Sequence, residues 1–381
     1  MALKGITVLE FAGLAPAPFC GMILNEFGAT VIRIDKHGAQ PFVQDTVGYG
    51  KKSLCINLKK AKGLSVMKNL ANQSDVILEP FRKGVMEKLQ LGPDVLCKSN
   101  PRLIYARLSG YGQDGPYSSM AGHDINYLGL SGILSLLGWR NRNPTPPCNL
   151  AADFGGGGLM CALGIVMALF ERSKSGRGQV IDCNMVEGSA YLGSWLTRTQ
   201  DTFLWDKPRG ENLLDGGAHF YDTYETKDGR FMAVGALESQ FYAQLLAGLG
   251  MTEEELPQHE VETGRAKLTE KFKEKTQAEW CEIFDNTDAC VTPVLSLSQA
   301  TSHPHNVHRG SFIPNRAGVV APAPAPRLSR TPGTSKITEP NPAPGVHTRE
   351  VLRHFGYSDA NIEELIREDV IEETIKMDSK L

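Results

Sequence analysis

The chain has 381 residues, 41% of them hydrophobic, and a net charge of −3, which is enough apolar content for about two domains. The near-balanced charge argues against nucleic acid or an anionic membrane as the main partner. Eight cysteines at 20, 55, 97, 148, 161, 183, 281 and 290 form no C-x-x-C pair and read as reduced, buried thiols.

No signal peptide is visible at the N-terminus, where the strand-like run ITVLEF (6–11) soon meets Glu10. A loop GLAPAP (13–18), a helix over 19–27 stopped by Gly28, and a second strand over 30–35 complete a β-loop-α-β unit. That unit opens a doubly wound parallel sheet. Asp35 stands where a ribose-binding acid would, but the loop lacks G-x-G-x-x-G and carries prolines, so a nicotinamide dehydrogenase is only a weak third reading. Strand-like runs at 75–78, 103–108 and 179–184 alternate with helical segments and continue the α/β pattern. Basic residues recur near the strand ends: Lys36, Lys51, Lys52, Lys59, Lys60, Arg82, Lys83 and Lys88. Singly, each reads as a solvated charge. Their recurrence in one α/β unit suits a phosphate-rich ligand such as a coenzyme A nucleotide.

Two polar helix entrances come next. Gly122, His123, Asp124, Ile125, Asn126 and Tyr127 precede an apolar run to Leu137, and Asn149 and Asp153 precede four glycines (155–158) and an apolar run over 159–170. At such an end, unpaired N–H groups and the positive dipole end hold developing negative charge. A histidine and an aspartate placed there suit removal of a proton from carbon with stabilisation of an oxyanion. Asp153 also reads as a plain N-cap and His123 as a structural histidine. The glycines require a close approach, and helix packing meets that need as well as a ligand does. The run 159–170 is too short to span a bilayer, so no membrane span is expected.

After about Leu204 the composition changes. Strand runs 221–226 and 230–236 flank the turn Lys227-Asp228-Gly229, and amphipathic segments follow at 238–249 and 263–284. These form a separate α+β module. Residues 311–345 are proline-rich and predict an extended arm that crosses back over the first domain. His303, His305 and His308 lack partnering cysteines or an H-E-x-x-H pattern, so no metal site is expected. Neither a Walker loop nor a G-x-S-x-G elbow occurs. The final Ser379, Lys380 and Leu381 form the tripeptide read by the peroxisomal import receptor. The expected domains are 1–190 with 315–381, a linker at 191–214, and 215–314.

The segments LAPAPFCGMIL, VIRIDK, RLIYARLSGYGQDGP, AGHDINY, NLAADFGGGG, GRGQVID, NMVEG, LDGGA, VGALESQFY and TDACVTPVL resemble, in order and over nearly the whole chain, the alpha-methylacyl-CoA racemases of the family III CoA-transferase superfamily. The wording and the tail are similar to the animal peroxisomal and mitochondrial type. The resemblance implies an interlocked homodimer, with a large Rossmann-like doubly wound α/β domain and a smaller α+β domain. Its active site would lie where the large domain of one subunit meets the small domain of the other. His123 and Asp153 would be acid/base residues on opposite faces of carbon 2 of a 2-methylacyl-CoA, with Asn149 supporting Asp153 and Glu238 of the partner subunit supporting His123. The nucleotide would lie along Lys36, Ile56, Asn57, Leu58 and Lys59, and the thioester along Gly122 to Tyr127. No cofactor is implied, since coenzyme A is part of the substrate. Branched fatty acyl and bile-acid thioesters are the implied substrates. Many relatives carry arginine in place of Lys36, which exchanges a bidentate cation for a point charge.

The chemistry agrees with that resemblance. Inverting a centre next to a thioester needs two opposed bases, and the enolate oxygen needs preorganised donors, for which the amides opening the helix after His123, that of Asp124 first, are suited. A CoA-transferase of the same superfamily would instead use Asp153 as a nucleophile. A non-enzymatic acyl-CoA binder would need neither residue.

Overall fold

The computed structural model describes residues 1–38, 45–315 and 317–374. The tripeptide Ser379, Lys380 and Leu381 lies outside the described residues. In chain order the elements are β1 (Thr7–Phe11), α1 (Pro16–Glu26), β2 (Thr30–Lys36), β3 (Lys52–Ile56), α2 (Ala61–Asn72), β4 (Val76–Glu79), α3 (Val85–Lys88), α4 (Pro93–Ser99), β5 (Ile104–Ser109) and α5 (Asp124–Ser131). A π-helical stretch, Leu150–Leu159, then runs directly into α6 (Met160–Ser175), followed by β6 (Val180–Asn184) and α7 (Met185–Leu192). Next come α8 (Ser194–Arg198), β7 (Tyr221–Glu225), β8 (Phe231–Gly235), α9 (Ser239–Leu249), α10 (Val261–Phe272), α11 (Gln277–Phe284), β9 (Val291–Val294), α12 (Leu297–Ala300) and α13 (Pro304–Arg309). The chain closes with β10 (Phe312–Pro314), β11 (Val320–Pro322), α14 (Thr348–His354), α15 (Asp359–Arg367) and β12 (Ile371–Glu372).

The chain divides into two units, one made of residues 1–131, 148–192 and 310–381, the other of 132–147 and 193–309. The first is built on a seven-stranded sheet of order β12-β3-β2-β1-β4-β5-β6. All of its pairings are parallel except β12 on β3. Strands β1 to β5 are short, largely apolar runs buried on both faces, as a parallel sheet between helix layers requires, and the edge strand β6 is partly exposed. Alternation sorts their side chains: Leu9, Ile32, Ile34, Ile77 and Tyr105 pack with Met67 and Leu70 of α2 and Leu352 of α14. Val8, Val31, Val76, Ile104 and Ala106 pack with Cys20 and Leu24 of α1 and Ile165 of α6. Helix α1 starts at Pro16, ahead of the expected Phe19, because prolines fit the first helical turn with their φ already set. Gly28 ends the turn after it at φ +110°.

The glycine run is not a loop before a helix. Helix begins at Leu150, and Asp153 lies in its first turn. A Cβ at Gly156 would stand 2.5 Å from the Ser189 amide nitrogen of α7, and one at Gly158 would stand 2.6 Å from the Pro16 carbonyl oxygen of α1. Helix packing is therefore what the glycines serve. The run Leu150–Ser175 is 26 residues long, so it is long and apolar enough to cross a membrane by length and composition, contrary to the shorter apolar run read from sequence. Cys161, Ala162, Ile165 and Ala168 of the same helix belong to the core of the first unit.

The second unit has its own core, with Met232, Tyr242, Leu245, Phe272, Trp280 and Phe284 among its members. Strands β7, β8 and β9 form an antiparallel sheet, and Gly229 takes φ +70° in the expected hairpin turn. The amphipathic segment 263–284 is two helices, because Thr276 starts α11 with a reciprocal capping box to Glu279. The proline-rich arm pairs β10 with β11 and then ties itself to the first unit. Thr334 N–H donates to the Glu26 carbonyl at 2.8 Å, Arg33 donates to the Pro342 carbonyl at 3.0 Å, and Gly345 N–H donates to Ser53 Oγ at 2.7 Å.

Candidate active site

In the first unit the strand order reverses beside β1, and in open α/β sheets ligands bind in the crevice beyond the carboxyl ends of strands at such a point. Two clefts open there. One, of ≈ 450 Å³, is walled by Phe11 and Ala12 at the end of β1, Lys36 and His37 at the end of β2, and Ile56, Asn57, Leu58 and Lys59 at the end of β3. The other, of ≈ 380 Å³, includes Gly13, Leu14, Arg82, Tyr111, Gly122, His123, Tyr127 and Asp153. Phe81 contributes to both.

The basic residues separate into two groups. Lys51 is buried and held by Glu10 at 2.8 Å and by the Pro18 carbonyl. Lys52 pairs with Glu350 and Lys60 with Asp369. These three are structural, which corrects their place among the phosphate candidates. Asp35 is no ribose acid either: it is buried, bound by Arg33 at 3.0 Å and by Ser53 Oγ at 2.6 Å. Lys36 and Lys59 are exposed on the first cleft and Arg82 on the second, and none of them has an acidic partner within 4 Å among the described residues. Lys83 and Lys88 are exposed and line neither cleft.

His123 directly precedes α5. Its backbone N–H donates to Asn126 Oδ1 at 3.0 Å, and its carbonyl accepts from the amides of Asn126 and Tyr127. Asn126 thus fixes the turn from which the imidazole projects. The Tyr127 hydroxyl donates to the Gly122 carbonyl, and burial pushes that phenol up to about 12. Tyr127 meets Tyr111 edge to face at 5.0 Å. A Cβ on Gly122 would stand 2.6 Å from the Tyr111 hydroxyl, so this wall closes only over glycine. Ile125 is exposed and lies outside the clefts.

Asp153 projects from the π-helical turn into the same cleft as His123. Burial raises its carboxyl above the usual range, and the nearby Asp124 carboxylate pushes the same way. Asn149, whose Nδ2 donates to Asp153 Oδ2 at 3.4 Å, and His123 pull it down. Desolvation outweighs these opposing influences at this helix start. The part missed from sequence is the Asp124 side chain. It is buried, and its Oδ2 accepts the backbone N–H groups of both Ala152 and Asp153 at 2.8 Å. From sequence, only the Asp124 amide has a visible role. An aspartate in the first turn of one helix gives no sign that it caps another 28 residues away.

Glu238 lies in the second unit, exposed at the N-cap of α9, where its charge contributes to raising the Cys290 thiol. His305 and His308 are exposed. Among the described residues no group of three or more His, Cys, Asp or Glu side chains could hold a metal ion. All eight cysteines are free, and Cys148 and Cys290 are exposed, against the expectation that all are buried.

Comparison with known proteins gives the family. The model of CoA-transferase family III matches residues 3–348. Alpha-methylacyl-CoA racemase of Mus musculus and that of Homo sapiens are each 55% identical to the chain over 376 residues, covering 98% of both sequences. The crystal structure of a CAIB/BAIF family protein from Brucella suis superposes with a TM-score of 0.76 at 24% identity, over 93% of this chain and 99% of that one. That likeness establishes the shared fold.

Proposed function

Since the chain belongs to CoA-transferase family III, among its alpha-methylacyl-CoA racemases, we propose that it interconverts the (2R) and (2S) epimers of 2-methylacyl-CoA thioesters by two-base proton transfer. The observation that carries this is the pairing of His123 and Asp153 in one cleft, next to a second cleft that presents Lys36 and Lys59. The nucleotide lies over Lys36, Ile56, Asn57, Leu58 and Lys59, where point charges without competing acids meet its phosphates. Arg82 and the turn from Gly122 to Tyr127 receive the thioester, and Lys88 contributes only long-range charge.

One base removes the proton from carbon 2 and the other returns a proton to the opposite face. Between these steps negative charge collects on the thioester oxygen, and the amide of Asp124, at the start of α5, stabilises it. The raised carboxyl of Asp153 suits a group that is protonated for part of its cycle. Asn149 keeps that carboxyl from rising further, and Glu238 of the partner subunit holds the imidazole of His123.

The protein works as an interlocked homodimer whose small module completes the partner's site. Support comes from α6, where Leu163, Val166, Met167 and Phe170 are exposed at helical spacing in the single chain. The C-terminal Ser379, Lys380 and Leu381 address it to the peroxisome through the import receptor. There, as in the mitochondrion, it serves branched fatty acid and bile-acid side-chain oxidation.

The test is NMR detection of deuterium entering carbon 2 of a 2-methylacyl-CoA in heavy water. His123→Ala and Asp153→Asn should each lose ~10²- to 10⁴-fold in inversion while exchanging opposite epimers through the surviving base. The family's transferase chemistry, with Asp153 as nucleophile, gives a different pattern. Capture of an acyl-aspartate by hydroxylamine, with normal turnover by His123→Ala, would replace the racemase reading with it.

A further inference from the structure

We propose that the Asp124 side chain is a positioning residue for the reaction, tying the turn that carries Asp153 to the turn that carries His123. The inference rests on the two-base reading above and concerns how one base is aimed and tuned.

Asp124 is the first residue of α5, adjacent to His123, and is only 4% exposed. A carboxylate so deeply buried is costly unless hydrogen bonds replace its water. Two do: Oδ2 accepts from the Ala152 and Asp153 amides, both at 2.8 Å. These N–H groups lie in the first turn of the π-helical stretch, where no intrahelical carbonyl can take them. The N-cap residue, Asn149, makes no side-chain cap bond and instead turns its amide to the Asp153 carboxyl. The helix start is thus capped from outside by Asp124, which leaves Asn149 available to Asp153.

Two further features separate this from an ordinary cap. Asp124 Oδ1 is also buried and has no hydrogen-bond partner, so the carboxylate is less fully solvated by the protein than its burial demands. Its charge acts on the Asp153 carboxyl, which it raises. The same residue therefore fixes the position of one base through its backbone, carries the other as its sequence neighbour, and biases the proton affinity of the first. A shift of ~1 Å in a reacting group can cost ~10²-fold in rate, so this clamp is well placed to matter.

The test uses the full-length protein and two variants. Asp124→Asn keeps an acceptor for both amides but removes the charge, whereas Asp124→Ala removes both. For the direction in which Asp153 takes the proton, the rate falls as pH drops through the Asp153 pKa. Removing a negative neighbour lowers that pKa, so the acid limb of kcat for Asp124→Asn should move to lower pH. Asp124→Ala should lose ~10- to 10²-fold in kcat, and Asp124→Asn should recover part of this loss. Exchange at carbon 2 locates the effect. In the Asp153→Asn background, where His123 is the acting base, adding Asp124→Asn should leave the pH limb in place. In the His123→Ala background it should shift it. Matching circular dichroism of all variants keeps loss of fold from counting as support. An unmoved acid limb, with equal kcat for Asp124→Asn and Asp124→Ala, would overturn the proposal. Full inversion by Asp153→Asn alone would instead refute the two-base reading itself, whatever Asp124 does.

Discussion

Asn149 and Asp124 act on the Asp153 carboxyl in opposite directions, the amide lowering its pKa and the carboxylate raising it. Asn149→Ala removes the lowering contact. The pKa of Asp153 should then rise, and in the direction where Asp153 removes the proton the acid limb of kcat should move to higher pH. A stopped-pH epimerisation assay from each epimer checks this; a shift to lower pH would mean that Asn149 acts in some other way. At this scale, sequence legibility followed chemical type and local position. His123 and Asp153 stood out because each is a titratable residue in a polar turn before an apolar run, although an N-cap and a structural histidine read as well there, and only the fold brings the two into one cleft. The companion roles were harder to read. Lys51 looks like any basic residue after a loop until Glu10, 41 positions away, is found against it. Asp35 sits at the end of a strand where a ribose-binding acid belongs, yet Arg33, two residues earlier, shares its strand face and takes its carboxylate.

Elements show the same division between local and distant causes. The sheet was legible because short β-branched runs separated by helical periods leave few alternatives to a parallel α/β sheet, and β1, β2, β4, β5 and β6 fall within about a residue of the expected runs. The π-helical stretch was not, because glycines disfavour helix by their own propensity and only α7 and α1 explain why they are needed. Two glycines of this continuous helix make a paired prediction. At Gly156 a Cβ would meet the backbone of α7, at 2.5 Å from Ser189 N and 2.8 Å from Gly188 C. Neither atom can move without shifting the helix. Gly156→Ala should destabilise by about 1–3 kcal/mol and, by displacing the turn before it, reduce inversion. At Gly164 the nearest atom would be a methyl of Ile181 at 3.5 Å, an ordinary contact, so Gly164→Ala should gain up to about 1 kcal/mol through helix propensity. Urea unfolding of both variants decides it, and equal effects would show that packing against α7 is not what the glycine run serves.

At the scale of the whole molecule, the fold brings distant sequence together. Residues 310–381 return to the unit begun by residues 1–131, and β12 pairs with β3 across more than three hundred positions. Proline content predicted an extended arm, but its anchors could not be read from sequence, because Glu26, Arg33 and Ser53 present ordinary polar groups until the arm reaches them. The outer stripe of α6 extends this reasoning beyond one chain. Leu163, Val166, Met167 and Phe170 recur at intervals of three, one and three residues, and the last two are 58% and 64% exposed. A monomer that left this stripe in water would carry a contiguous apolar patch of the kind that marks an interface. If a second copy covers it, Met167→Glu with Phe170→Glu places two charges in an apolar contact and should separate the subunits. Neither residue lies in the hydrophobic core, so the substitutions leave the packing within each chain intact. On the proposed arrangement, in which Glu238 of the partner subunit holds His123, loss of inversion should then accompany dissociation. Sedimentation velocity across a dilution series, read with the deuterium assay on the same samples, tests both consequences together. A double variant that stays dimeric and active would place the interface elsewhere, and a fully active monomer would remove the partner from the catalytic site.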